Sequence, residues 1–242
     1  MSETRTRIPL LAADAVLFDL DGVLTDTAAV HRRAWADLFG PYLETHRAAP
    51  FTDDDYYRLI DGRPRAAGVE NVLSSRGLDL PPGSPDDPPS ADTAAGLGNR
   101  KNAAFAEILR ADGVRVFDGS LRVVQALRRA HVPTGVVSSS RNARAVLERA
   151  GLLTDFDVIV DGEVAARDRL PGKPHPAMFL TAADALGADA TRTIGVEDAV
   201  SGVAAAHRGG LWVVGVDRGA GYEELVRAGA DQVVRDVAEL LS

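Results

Sequence analysis

Short apolar runs bounded by turn formers alternate with amphipathic stretches over most of the chain, and this rhythm sets the fold class. From Val114 onward the runs VPTGVV, FDVIV, TIGV, LWVVGV and DQVV are separated by stretches such as SLRVVQALRRA, ARAVLERA and PAMFLTAADALG. Apolar runs without polar alternation predict strands buried on both faces, and the intervening helical periodicity predicts amphipathic helices. Strand and helix taken in turn predict a parallel sheet covered by helices. The opening run AVLFDL, Ala15 to Leu20, has the same character and joins that sheet.

Between about Ala28 and Asp112 the pattern becomes helical and strand-poor, through AAVHRRAWADLF, DDDYYRLI, RAAGVENVLSSRG and RKNAAFAEILRADG. Residues 28–112 therefore read as a helical insertion, interrupting an α/β core made of 1–27 and 113–242. Inside the insertion, DLPPGSPDDPPSAD carries five prolines and is expected to be a surface loop between two helices.

Composition narrows the possible partners. An apolar fraction of 45% with 26% charged residues is ordinary for a globular chain of 242 residues. The balance of 27 basic against 35 acidic residues, a net charge of -8, argues against nucleic acid or an anionic membrane as the main partner. With no cysteine, disulfides, thiolate metal sites and a cysteine nucleophile are excluded. The N-terminus MSETRTRIPLLAADAV has no signal-like apolar stretch, and no window approaches a membrane span, so a cytoplasmic protein is expected.

In open α/β sheets chemistry collects at the carboxyl ends of the strands, so the residues just after each apolar run are the informative ones. The first run ends in Asp19 and Asp21, whose spacing turns both side chains toward one side as the chain leaves the sheet. An unpaired carboxylate is expensive there. VPTGVV leads into SSSRN, which offers hydroxyls, an arginine and the N–H groups of a helix start, a set suited to an anion. Lys173 lies in PGKPHP between prolines. TIGV leads into Glu197 and Asp198, which with Asp19 supply oxygen donors of the type magnesium prefers.

Each signal alone has a plainer reading. Asp-Gly is a common turn, DxD also fits a metal-binding transferase loop, Ser and Asn cap helices, acids favour a helix N-terminus, and a single lysine is usually at the surface. Together, in one order along one sheet, they form what phosphoryl transfer needs: carboxylates beside an anionic phosphate, offset by cations. Asp19 would be the nucleophile and Asp21 the general acid and base.

The motifs DLDGVLTDT, VVSSS, GKP and GVEDAVSG resemble those of the haloacid dehalogenase superfamily, over essentially the whole chain from Ala15. The resemblance implies a Rossmann-like parallel sheet core with an inserted α-helical cap. Within the cap, DTAAVHRRAW, DGRPRAAGV and GNRKN resemble the β-phosphoglucomutase branch. This implies that His31 assists Asp21, that Lys173 and Ser138 bind the phosphoryl oxygens, and that Asp19, Glu197, Asp198 and the main-chain carbonyl of Asp21 hold Mg2+. It further implies a substrate pocket formed by Thr27, Trp35, Gly62, Arg65, Lys101 with Asn102, Ser139, Ser140, Arg141 and Asn142, with Arg63 the alternative register to Arg65. Two departures stand out: Arg141 replaces a lysine, which keeps the charge but changes the donor geometry, and the proline-rich segment is unlike the compact cap of that branch.

The implied activity is Mg-dependent mutase chemistry between β-glucose 1-phosphate and glucose 6-phosphate, with β-glucose 1,6-bisphosphate as activating intermediate, in a monomer whose partner is a small phosphorylated sugar. A sugar-phosphate phosphatase uses the same core residues and is the alternative. A non-catalytic nucleotide-binding module would need a G-x-G-x-x-G first turn, where this chain has DLDGVL.

Overall fold

Six strands of three to five residues, β1 Ala15–Phe18, β2 Thr134–Val137, β3 Val158–Val160, β4 Thr193–Glu197, β5 Trp212–Val216 and β6 Gln232–Val234, form one parallel sheet in the order β3-β2-β1-β4-β5-β6. The computed structural model describes residues 7–241, so Met1–Thr6 of the N-terminal stretch expected to lack a leader lie outside the described residues. The opening strand is shorter than the apolar run. It stops at Phe18, and Asp19, Leu20 and Asp21 belong to the turn beyond it.

The strands read as unbroken apolar runs because both faces are covered. Val16 and Phe18 of β1, Val136 of β2 and Val196 of β4 enter one buried cluster, while Leu17, Val137 and Val213 of β5 enter another. Alternate residues thus serve opposite layers. The helix α5 (Asp118–Arg129) contributes Val123, Val124 and Leu127 to the first layer; α8 (Ala177–Ala185) and α9 (Val200–Arg208) contribute Phe179 and Val203 to the second. Order reverses around β1, whose neighbours are β2 and β4, which places the crevice expected of a doubly wound sheet above the end of β1.

The helices between β1 and β2 build a third cluster of their own. Trp35, Leu38, Phe39 and Leu43 recur at helical spacing on α1 (Thr27–Thr45) and pack with Val69, Val72 and Leu73 of α3 (Arg65–Ser75) and Leu97 of α4 (Ala94–Asp112). Between α1 and α3, a short turn at Asp53–Asp55 passes into a π-helical turn, Tyr56–Ile60, closed by the N–H of Asp61 donating to the carbonyl of Tyr56. The proline-rich segment lies between α3 and α4 and is mostly exposed, as expected. It also reaches inward: Asn99 of α4 donates to the carbonyls of Pro85 and Asp87, and Arg100 to that of Pro89, which fixes the loop against the helix.

Asp55 ties this helical unit together. Its carboxylate accepts from the N–H and hydroxyl of Thr52, and from both terminal nitrogens of Arg76 at 2.8 and 2.5 Å. The Arg76 hydrogen bonds hold the carboxyl at about 2. Asp55→Ala is expected to lower unfolding stability by about 1–2 kcal/mol near neutral pH. Because the folded-state value is depressed, this contribution is full above the ordinary carboxylate range and fades as pH falls through it. Urea unfolding of variant and parent near pH 7 and near pH 3 should show the gap closing in acid.

Candidate active site

Four chain segments meet at the carboxyl end of the sheet. The N–H of Asp19 donates to the carbonyl of Val196 on β4, so the chain leaves β1 beside the segment that carries Glu197 and Asp198. Gly22 then turns at φ +87, where a Cβ would lie 1.8 Å from a carboxylate oxygen of Asp198; only glycine allows this approach. Ser138 comes directly after β2, and Lys173 arrives from the loop between α7 (Gly162–Arg167) and α8.

Lys173 is 2% exposed, far from the surface lysine its surroundings alone would suggest. Its Nζ donates to Asp19 Oδ1 and to Glu197 Oε1, each at 2.5 Å, and to the carbonyl of Val137 at 2.9 Å. Burial opposes its charge, but Asp19 and Glu197 outweigh burial and hold the ammonium above its ordinary range. The acids outnumber it. Asp19, Glu197 and Asp198, all buried, bring ligand atoms within 4.8 Å of one another. Burial raises Glu197 to about 8 despite Lys173, and raises Asp198 well above the carboxylate range with the charges of Asp61 and Asp19 added. Hard oxygen donors with uncompensated negative charge suit a divalent cation of the magnesium type. Glu197 is fully buried, held by Lys173 and by the N–H of Ala199.

Asp21 stands beside this cluster with different partners. Burial would raise its carboxyl, but His31 and the hydroxyl of Thr27 lower it on balance. His31 Nε2 stands 3.5 Å from Asp21 Oδ1, its Nδ1 meets Lys101 Nζ, and its ring stacks on Phe105 with centroids 4.0 Å apart. Lys101 is 3% exposed, lies over the rings of Trp35 and Phe105, and is pushed down to about 7, chiefly by burial. A carboxyl, an imidazole and an amine thus stand in line. Thr27, expected on the substrate, is 1% exposed and bonds Asp21 and Thr25 instead, because it opens α1 directly beneath that turn.

Above these groups lies a cavity of about 510 Å³ lined by Asp19, Asp21, His31, Trp35, Lys101 and Ser138 through Asn142. Its other walls come from the helical unit: Asp61, Gly62, Arg63, Arg65, Asn102 and, from the proline-rich loop, Pro82, Gly83 and Pro85. Both arginine registers reach the cavity. Arg65 is anchored by donating to the carbonyl of Gly98 at 3.3 Å, and burial together with the charge of Arg141 lowers it. Arg141 is paired with Glu163 at 3.4 Å.

Three hydrogen bonds latch the helical unit onto the segments that follow the strands. Ser139 donates to the carbonyl of Gly62 at 2.8 Å, Ser201 to that of Asp61 at 2.7 Å, and Asn142 to the side chain of Asn102 at 2.6 Å. Ser139, expected on the substrate, therefore lines the cavity with its hydroxyl already engaged. Ser140 Oγ likewise accepts from the N–H of Asn142. The sequence assigns no role to Asp61, to Tyr56 beside it in the cavity wall, or to Ser201. The only local sign is the Asp61-Gly62 pair, which repeats the acid-glycine turn of Asp21-Gly22.

Comparison with known proteins identifies the family. The family model described as haloacid dehalogenase-like hydrolase matches residues 13–210. A β-phosphoglucomutase of Mycobacterium bovis is 46% identical over 238 residues, covering 94% of this chain and 91% of that protein. A validoxylamine A 7'-phosphate phosphatase of Streptomyces hygroscopicus is 31% identical over 227 residues, covering 93% and 94% of the two chains. The crystal structure of a β-phosphoglucomutase from Clostridium difficile superposes with a TM-score of 0.76 at 26% identity, over 94% of this chain and 93% of the other. The chain belongs to the haloacid dehalogenase-like hydrolase family and is an enzyme of that superfamily, a Rossmann-like sheet carrying a helical cap.

Proposed function

We propose that this enzyme transfers a phosphoryl group through an aspartyl phosphate on Asp19, and that its reaction is the interconversion of β-glucose 1-phosphate and glucose 6-phosphate. The observation that carries the reading is one cavity lined both by Asp19, which Lys173 holds from behind, and by the cationic side chains of Arg65 and Arg141. A bisphosphate needs both grips. The name of the mycobacterial relative supports the same reaction.

Asp19 attacks the phosphorus while the bond from phosphorus to the sugar oxygen breaks, and Asp21 supplies the proton that oxygen takes. Lys173 and Ser138 hold the phosphoryl oxygens in line. The Asp19, Glu197 and Asp198 carboxylates with the carbonyl of Asp21 would hold Mg2+, which offsets the charge of the transferring group. His31 and Lys101 keep Asp21 oriented and return its proton for the reverse step. In the reverse direction the 6-hydroxyl of β-glucose 1-phosphate attacks the aspartyl phosphate, Asp21 takes its proton and Asp19 leaves as a carboxylate; the β-glucose 1,6-bisphosphate formed turns round, and Arg65, Ser140, Arg141 and Asn142 grip the phosphate that is not reacting. The Ser139 and Ser201 latches keep water from the aspartyl phosphate meanwhile. Residues 28–112 would act as the moving cap on a core of 1–27 and 113–242, in a monomer of the cytoplasm. Among the described residues no helix is long and apolar enough to cross a membrane.

Hydrolysis is the second reading, favoured by the phosphatase among the relatives and by the wall that Pro82, Gly83 and Pro85 add to the cavity. The two are separated by incubating β-glucose 1-phosphate with Mg2+ and catalytic β-glucose 1,6-bisphosphate while measuring glucose 6-phosphate and free phosphate together. Glucose 6-phosphate without free phosphate is expected. Free phosphate from several sugar phosphates would replace the mutase by a phosphatase.

A further inference from the structure

Of the carboxylates that line the cavity, Asp19 and Asp198 belong to the cation cluster, Asp21 to proton transfer, and Glu70 is exposed. Asp61 has no part in that chemistry. It is nevertheless firmly placed: the π turn ends on its N–H, Ser201 holds its carbonyl, and Gly62 comes next at φ +68, where a Cβ would lie 2.4 Å from the Ser201 hydroxyl. It lines the cavity with Asp19, Asp21, Asp198 and Tyr56, and burial with the charges of Asp19 and Asp21 raises its carboxyl to about 7. Tyr56 itself is 5% exposed, so this wall is built into the cap.

Neither of the simpler uses fits. Once ionised, a carboxyl raised to about 7 beside Asp19 and Asp21 repels a phosphate, so Asp61 is not an anion ligand. The latch runs through main-chain carbonyls, so it does not require this side chain. What remains is an acceptor. A carboxylate has room for about four hydrogen bonds. The donors that a phosphorylated sugar brings into the cavity are its free hydroxyls.

We propose that Asp61 determines specificity by accepting a hydrogen bond from a free sugar hydroxyl close to the transferring oxygen, so that the cap admits polyhydroxylated phosphates and rejects their deoxy analogues. The inference rests on the proposed sugar-phosphate substrate. A deoxy analogue would leave a carboxylate covered by the bound sugar short of a partner, and sites that bind a substrate hydroxyl discriminate strongly for that reason.

Binding is the readout, because it is the same for a mutase and a phosphatase. Isothermal titration with Mg2+ compares glucose 6-phosphate, 2-deoxyglucose 6-phosphate, 4-deoxyglucose 6-phosphate and inorganic phosphate on the parent, Asp61→Ala and Asp61→Asn. The parent should bind at least one deoxy analogue about tenfold more weakly than glucose 6-phosphate. Asp61→Ala should bind all three sugars alike, at the weaker level, and inorganic phosphate at least as tightly as the parent. Asp61→Asn, which keeps an acceptor oxygen, should recover part of the discrimination. A parent without discrimination, or an unchanged preference in Asp61→Ala, overturns the inference. So does loss of inorganic phosphate binding in Asp61→Ala, which would mark a structural role. If the parent binds inorganic phosphate but no sugar phosphate, the functional reading fails first and the inference with it.

Discussion

Asp19→Asn should abolish turnover, with a fall of about 10⁴-fold or more, while the protein stays folded. The amide has nearly the shape of the carboxylate but does not form an acyl phosphate. Asp198 and Glu197 share the cation cluster, and Glu197 is sealed from the cavity by full burial. The charge balance argues that the fold survives. Burial raises the Asp19 carboxyl, with Lys173 opposing and Asp21 reinforcing the shift, so its ionised form is held at a cost. In the variant Lys173 keeps its 2.5 Å contact with Glu197, and Glu197, Asp198 and Asp61 each lose a like charge beside them. Thermal unfolding in metal-free buffer near pH 7 should therefore give a Tm no lower than the parent's. Turnover is measured from β-glucose 1-phosphate to glucose 6-phosphate, and labelling from a phosphorylated donor should be lost in parallel. Retained turnover would move the nucleophile elsewhere; a large drop in Tm would refute the account of the charge cluster.

Much of this centre is legible in the sequence because its signals are local. A strand covered on both faces has to be apolar throughout, so the polar residues that interrupt each run mark the strand end, which is where Asp19, Ser138, Glu197 and Asp198 stand. His31 and Lys101 are reached only through the family resemblance, yet they meet across 70 residues. The residues that sequence misses or misplaces depend on contacts no local pattern encodes. Asp61 owes its position to a π turn and to a hydroxyl 140 residues away, and Ser139 lines the cavity with its hydroxyl donating to a carbonyl 77 residues before it. Thr27 looks like a substrate ligand from its motif, but the turn after β1 puts its hydroxyl on Asp21. The proline-rich loop is legible as irregular and exposed. Its reach into the cavity comes from Asn99 and Arg100 of α4, whose sequence says only that they are polar.

Lys173→Met should damage stability and activity together, and for one reason. The side chain is replaced by one of similar length, so packing is nearly kept and the ammonium is what is lost. Asp19, Glu197 and Asp198 are then left buried with no cation among them, and removing one partner from a buried ion pair costs about 3–5 kcal/mol. For a chain of this size that is a fall in Tm of roughly 6–20 °C. The acids set the sign of the pH dependence. Burial raises Glu197 to about 8 even with Lys173 present, and a carboxyl raised in the folded state binds a proton that the unfolded chain releases. Stability therefore declines as pH climbs from the ordinary carboxylate range toward 8. Without the ammonium the decline steepens, so parent and variant should approach each other near pH 5 and separate near pH 8. Turnover should fall about 10²–10³-fold or more, since the same ammonium neutralises the nucleophile and the phosphoryl oxygens. Glu197→Gln added to Lys173→Met separates the two effects: it removes one of the unpaired acids and should recover part of the Tm, while turnover stays lost. An unchanged Tm in the single variant, or turnover restored with stability in the double variant, would mean that Lys173 is not the cation that balances this cluster.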